Sequence, residues 1–381
     1  MRALIVASVA SMIDQFNMPN IMMLRELGYG VTVAANFDES GSITKDRADS
    51  LMRRLEELGV TVVNVPIPRR IFAVGNILRS YRILKRLSRE NRYDLLHCHS
   101  PIGGALARFA VRKERRRGST KTVYTAHGFH FYKGAPKKNW LVFYPVEKLC
   151  ARLTDVLITI NREDCDFAKR KLRAGRVEYI PGVGVDIDKI SSVEVDKAAK
   201  KEFFGIPADS PLLLSVGELN ENKNHELVLR ALASVRDSRV HYAIAGKGSL
   251  ERHLMSLSRE LGLEDRVHLL GYREDVYEFY RIADVFIHPS YREGLPVSVI
   301  EAMASGLPVV ASKIRGNEDL IEEGGGFLLS PNDEDRFADA IEKLISSGSL
   351  RRKMGEYNRE AVRKYSTEPV CEALLEIYKE N

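Results

Sequence analysis

At 381 residues, 44% apolar and 29% charged, the chain is too long for one ordinary core and too balanced for a disordered or fibrous protein, so two globular domains are expected. No apolar run approaches the roughly 18 residues of a spanning helix, and the short apolar part of MRALIVASVASMIDQF reads as a first strand rather than a signal peptide. The net charge of +6 is divided unevenly: residues 1–185 hold 32 Lys and Arg against 17 Asp and Glu, a surplus of 15, and the rest holds 26 against 35, a deficit of 9, so the first half is expected to meet an anionic partner.

In chain order, apolar runs predict strands at 3–7, 31–35, 60–65, 94–97, 121–126 and 156–160, with helical stretches such as 46–58 and 73–89 between them. Such alternation implies a parallel sheet covered by helices on both faces. The first loop, SVASMIDQFNMPN, lacks a glycine-rich phosphate pattern. Ser8, Ser11 and Asn17 could line a crevice from this loop, or cap the helix near Pro19. His97 and His99 lie two apart in DLLHCHSP, on one face of a strand, and no adjacent third ligand supports a metal. His97 is expected to be structural and His99, at the strand's end, to approach the crevice. His127 ends a strand and precedes Gly128, so a neutral imidazole could meet a hydroxyl there, although a lone histidine also fits a structural role. FYKGAPKKNWLVFYPVEKLCAR (131–152) mixes lysines with aromatics. It fits either a helix on an anionic membrane surface or a core helix with a solvated basic flank; VRKERRR (111–117) and PRR (68–70) extend the basic face. No nucleic-acid-binding motif accompanies the charge.

Glycines interrupt PGVGVDIDKI (181–190), which reads as the hinge. Beyond it strands are predicted at 211–216, 240–245, 267–270, 285–288 and 309–311. SVGELNENKNHE opens a helix, with Lys223 near its start, and AGKGSL and GYRED are further strand-end turns. Several strand ends thus converge on one crevice, as a nucleotide site on a doubly wound sheet requires. In VFIHPSYREGLPVSVIEAMASGLPVVAS (285–312), a strand leads through a loop to a helix that begins at Pro296 and ends near Ala304, before Gly306 and Pro308. Glu293 and Glu301 would offer acceptors for sugar hydroxyls, and the amides from Gly294 onward would face an anion; on spacing alone a solvated loop acid and an ordinary surface glutamate are the commoner case. The four cysteines are scattered without a Cys-x-x-Cys pair, which fits free thiols in a reducing cytoplasm. Asp333–Asp335, the DED triplet, sits at a helix start, where capping explains it.

These segments resemble the family 4 glycosyltransferases, retaining enzymes of the GT-B fold, over essentially the whole chain. The most specific part is EGLPVSVIEAMASGLPVVAS, similar to the family's Glu-x7-Glu motif; SVGELNENKNH, IAGKG, GYRED, ADVFIHPS and GGGFLLSPND follow the same order. SMIDQFNMPN, LLHCHSPIGG and YTAHGFHFYKG look most like enzymes building bacterial capsular or exopolysaccharide units on a lipid carrier. The resemblance implies an α/β chain of two doubly wound Rossmann-like domains with parallel sheets facing a central cleft. Residues 1–185 would bind acceptor and residues 186–365 nucleotide sugar, with a C-terminal helix at 366–381 returning to the first domain.

It further implies that Glu301 binds ribose hydroxyls, Glu293 the donor sugar, and the amides around Gly294, Leu295 and Pro296 the sugar and diphosphate. Lys223 would neutralise the departing diphosphate and His127 would lie at the reacting sugar. Gly271, Tyr272 and Arg273 would face the base, with Gly217 and Gly246 in the nucleotide-sugar turns. His99, Ser11 and Asn17 fall on the acceptor side. Glu218 stands where the family commonly has arginine, which leaves more of the diphosphate charge to Lys223. The expected reaction moves sugar from a UDP-linked donor to a lipid-linked or saccharide acceptor, with no metal or other cofactor and no nucleic acid. The expected place is the cytoplasm, peripheral at the inner face of the plasma membrane. A UDP-sugar epimerase on the same fold and a non-catalytic nucleotide-sugar binder are the competing readings.

Overall fold

A computed structural model describes residues 1–380 and shows thirteen strands among them, paired in parallel throughout. The first sheet contains β1 (Arg2–Val9), β2 (Gly30–Asn36), β3 (Thr61–Asn64), β4 (Leu95–His99), β5 (Lys121–Ala126), β6 (Val156–Thr159) and β7 (Arg176–Tyr179), in the order β3-β2-β1-β4-β5-β6-β7. The second contains β8 (Leu212–Val216), β9 (His241–Ala245), β10 (Val267–Gly271), β11 (Val285–His288), β12 (Val309–Ser312) and β13 (Gly326–Leu329), in the order β10-β9-β8-β11-β12-β13. Both are doubly wound. Strand order reverses between β1 and β4 in one and between β8 and β11 in the other, and such reversals open a crevice beyond the carboxyl ends of the strands.

The chain divides into two compact units: Met1–Val183 with the residues from Glu368 onward, and Gly184–Thr367. Gly182 and Gly184 both take positive φ at the divide. The last helix, Thr367–Lys379, buries Val370, Leu374, Ile377 and Tyr378 in the core of the first unit, the 3–4 spacing of one helical face. The residues from Glu368 onward bring four acids and one lysine, so the first unit carries 33 basic against 21 acidic residues, a surplus of 12.

Central strands such as β1 (RALIVASV) and β4 (LLHCH) are buried on both faces, which is why they read as unbroken apolar runs. Two strands were not among those expected. β7, RVEY, is a half-buried edge strand carrying charge, so it lacks the apolar run of its neighbours. β13, GFLL, is short and begins at a glycine, because a Cβ on Gly326 would collide with the Val309 carbonyl of β12. Thr44 opens the helix Lys45–Glu57 by accepting from the Arg47 amide at 3.3 Å. The Asp333 carboxylate likewise accepts from the Arg336 amide, a capping role within the DED triplet.

The helix Lys137–Ala151 turns its rings inward, as the core-helix reading expects, while leaving an apolar face exposed. Its aromatics do not face outward: Trp140 and Tyr144 pack on Phe131 and Phe167. Leu141, Val142, Val146 and Leu149 form its exposed face instead. Large rings gain most from burial, and an internal aromatic cluster was available to them. No helix among the described residues is long and apolar enough to cross a membrane.

Candidate active site

In the second unit the loops after β8 and β11 are tied to one another. The Asn222 carbonyl accepts from the Tyr291 amide (2.8 Å), and the Asn222 side chain donates to the Arg292 carbonyl (3.0 Å). Asn224 holds a left-handed conformation (φ 53°) and its amide donates to the carbonyls of Pro289 (3.1 Å) and Pro331 (2.9 Å). These bonds set the Lys223 ammonium 2.7 Å from Glu293 Oε1. Gly217 lies beneath the lysine stem, where a Cβ would press on its Cε at 3.0 Å. A Cβ on Gly246 would collide with the Gly217 carbonyl, so these turns can approach only as glycines.

Burial would raise the Glu293 carboxyl, but the Lys223 ammonium and the imidazole of His288 (3.3 Å) overturn that and hold it well below the usual carboxylate range. Glu293 is therefore ionised and positioned. Arg315, buried after β12, donates from Nε to the Glu293 carbonyl at 3.0 Å. Gly316 (φ 83°) packs so closely on the Gly294 carbonyl that a Cβ there would clash. Leu295 is buried, and Pro296 precedes the helix Val297–Ala304 as its cap rather than its first residue.

Glu301 lies on that helix and accepts from Tyr280 at 2.8 Å. Burial pushes its carboxyl up to about 7, with hydrogen bonds from Tyr280 and Tyr277 opposing. The two glutamates of one motif thus differ: one is paired with a cation, the other only with phenols.

Gly271 closes β10 with φ 66°, and its carbonyl accepts from the Gly246 amide at 2.8 Å. Tyr272 is exposed. The Arg273 guanidinium is committed to Asp275 through two bonds of 2.7 Å and lies over Phe204 and Phe279. Glu218 is exposed.

In the first unit His99 Nδ1 lies 3.1 Å from His127 Nε2, at the ends of the adjacent strands β4 and β5. His99 Nε2 is buried and makes no hydrogen bond among the described residues. Burial lowers both rings, His127 to about 4, so they are neutral at neutral pH. His97 is structural: its nitrogens meet Tyr378 Oη (2.6 Å) and Thr125 Oγ1 (2.8 Å). Asn17 is fully buried and committed internally, donating to Met12 O and accepting from Asn20; it occupies the cap position before the helix Met18–Glu26, but its side chain makes no capping bond there. Ser11 is buried against Gly41. Ser8 Oγ instead meets Ser100 Oγ at 2.8 Å, where Ser100 holds φ 62° at the first strand reversal. Strain of that kind in a non-glycine residue concentrates at functional sites. Sequence reasoning missed Ser100, His288, Tyr280 and Arg315. His288 ends a strand whose loop carries Glu293, which was the available signal; Arg315 and Tyr280 are distant in sequence and left none.

Models of two families match the chain: "Glycosyl transferases group 1" over residues 196–361 and "Glycosyl transferase 4-like domain" over 21–182. A protein of Bacillus subtilis named "Putative glycosyltransferase EpsD" is 37% identical over 99% of this chain and 96% of its own. The chain belongs to the group 1 glycosyltransferases. A second relative of this glycosyltransferase, from Escherichia coli, is the "UDP-Gal:alpha-D-GlcNAc-diphosphoundecaprenol alpha-1,3-galactosyltransferase". It is 30% identical over 82% of this chain and 79% of its own. Among solved structures, Anabaena HepE in complex with UDP and glucose superposes with a TM-score of 0.81 at 20% identity, each chain covered completely. WaaG, of lipopolysaccharide biosynthesis, gives 0.73 at 19%, covering 99% of each. The glycosyltransferase therefore has the GT-B fold, with two doubly wound parallel sheets.

Proposed function

We infer that the glycosyltransferase moves a sugar from a UDP-linked donor, with retention of anomeric configuration as in family 4, to a hydroxyl on a diphosphate-linked lipid acceptor. The observation that carries this is the Lys223–Glu293 pair at the strand reversal of the second unit. A fixed ammonium there meets charge that grows on the leaving diphosphate, so it favours the transition state over the ground state. The amides from Gly294 to the start of the helix Val297–Ala304 add donors to the same oxygens. Glu293 positions the lysine and accepts from the donor sugar's hydroxyls; Glu301 accepts from the ribose. Tyr272 and the Gly271 turn lie against the base, while Arg273 acts by bracing that turn through Asp275.

As the bond from C1 to the diphosphate breaks, the acceptor oxygen bonds to C1 and its proton passes to the departing phosphate oxygen. No side-chain base is then required. His127, neutral and held by His99, donates or accepts at the reacting sugar. The acceptor class rests on the 30% identical relative that acts on a diphosphoundecaprenol glycan, together with the basic surplus of the first unit. That surplus also favours peripheral attachment to the anionic inner face of the plasma membrane from the cytoplasm.

The reading is tested by thermal-shift ranking of UDP-, GDP- and ADP-sugars, followed by transfer assays with the best donor and a glycosyl-diphosphate lipid. Stabilisation by UDP-sugars and an axial or equatorial linkage matching the donor anomer is expected. Donor binding without transfer to any such acceptor overturns it.

A further inference from the structure

We propose that the first unit carries a dedicated groove for the carrier end of its acceptor, with the diphosphate held at Arg69 and Arg70 and the adjoining isoprenoid carbons laid in an apolar trough beside it. This rests on the diphosphate-linked acceptor inferred above and adds where, and by what chemistry, that carrier is gripped.

Two cavities of the first unit share a wall. One, of about 420 Å³, is bounded by Arg69, Arg70, Ser8 and Ser100. The other, of about 280 Å³, is apolar, bounded by Ala105 and Leu106 of the helix Pro101–Ala110, by Val142 and Val146 of the helix Lys137–Ala151, and by Phe129 and Phe131. Ile71, Pro101, Ile102, His130 and Phe143 line both, so the two form one continuous depression with a basic end and an apolar end. A diphosphate ester of a long hydrocarbon has that same polarity along its length.

The surroundings agree. Nine large apolar side chains of the first unit are exposed, and seven of them lie in the two segments that flank the trough: Phe72, Val74 and Leu78 on one side, Leu141, Val142, Val146 and Leu149 on the other. Phe72 is 87% and Leu141 77% exposed. An apolar patch so concentrated marks a surface that is covered in use. Neither Arg69 nor Arg70 forms an ion pair among the described residues, and both are exposed, so their charge is available to an anion. The one carboxylate in the trough is neutralised: Glu147 takes two bonds from the buried Arg108 guanidinium, at 2.7 and 3.2 Å, and Arg108 lies 3.8 Å over Tyr124. The trough is therefore apolar in charge as well as in lining. Ser8 and Ser100 bound the basic end, and Ser100 directly follows His99, which meets His127 at 3.1 Å, so a sugar on the far side of the diphosphate lies toward the paired imidazoles rather than in the trough.

The test uses the full chain saturated with UDP, so that the donor site is filled, and titrates farnesyl diphosphate against inorganic diphosphate. Trp140 is the only tryptophan and packs on Phe131 of the trough, so its fluorescence reports occupancy. Saturable binding is expected, at least about tenfold tighter for farnesyl diphosphate than for inorganic diphosphate. Ala105→Phe, which fills the trough, and Val142→Asp, at an exposed position that leaves the core alone, should each remove about tenfold of that preference. The double change Arg69→Ala, Arg70→Ala should weaken both ligands. Stabilisation by UDP should be unchanged in all three.

Equal affinity for the two diphosphates overturns the proposal, as does a farnesyl diphosphate affinity untouched by Val142→Asp while binding to anionic vesicles falls; the patch would then be only a bilayer contact. Transfer to a glycosyl methyl diphosphate as efficient as to the farnesyl acceptor sinks the groove and leaves the transfer reading standing. Farnesyl diphosphate binding without sugar transfer does the reverse.

Discussion

The two strand reversals share a topology and differ in chemistry. Between β8 and β11 the loops carry a half-buried ion pair, Lys223 with Glu293, and bonds between the two loops hold it in place. Between β1 and β4 the comparable position holds Ser8 and Ser100, and the flanking β5 end brings His127 against His99, all neutral. The same scaffold thus presents permanent charge in one unit and uncharged hydrogen-bonding groups in the other. A departing diphosphate requires the former, because charge develops on it. In the proposed reaction the neutral imidazole pair would meet the acceptor hydroxyl as a hydrogen-bonding partner.

The sharpest way to break the contrast is to remove the charge. Lys223→Ala should lower kcat by roughly a hundred- to a thousandfold, measured by transfer from a UDP-sugar. It should also destabilise the fold, since Glu293 would remain half-buried without its ammonium partner. Equal kcat in the variant would sink the charged-site reading.

The neutral site should respond differently. His127→Ala should reduce kcat/KM for acceptor by about ten- to a hundredfold, leaving the UDP Kd unchanged by calorimetry. A matching loss in UDP affinity would mean that the two sites are not chemically separate.

Glu301 sharpens the contrast by pH. Its folded-state carboxyl titrates near 7 against an ordinary 4.5, so the folded protein retains a proton that the unfolded chain has released. Stability should fall as pH rises across that window and stay lower above it, by an order of 1–3 kcal/mol. Glu301→Gln should flatten this part of a Tm-against-pH profile, while weakening the donor. Glu293 acts in the opposite sense: its carboxyl is held low, so its contribution is present above the ordinary carboxyl value and is lost in acid. An unaltered slope in the Gln variant would remove Glu301 as the source.

The smallest effect is expected at Arg273. Its guanidinium is bound to Asp275, so Arg273→Ala should change the UDP Kd by less than about threefold. A larger loss would return its side chain to the base.

Much of this was legible beforehand because parallel strands buried on both faces write themselves as apolar runs, and because the glycines and prolines around Glu293 punctuate strand, loop and helix. β7 and β13 escaped, since an edge strand and a glycine-led strand carry no such run. Local pattern likewise placed Lys223, Glu293 and Glu301 in the right turns and helix. Tertiary structure alone decided their states. Seventy residues separate Lys223 from Glu293, and only the reversal of strand order brings them to 2.7 Å. The same holds for the phenol beside Glu301, the arginine behind Glu293, and the inward turn of Trp140. Periodicity records which face of an element is buried, whereas the partner met on that face depends on how distant elements pack.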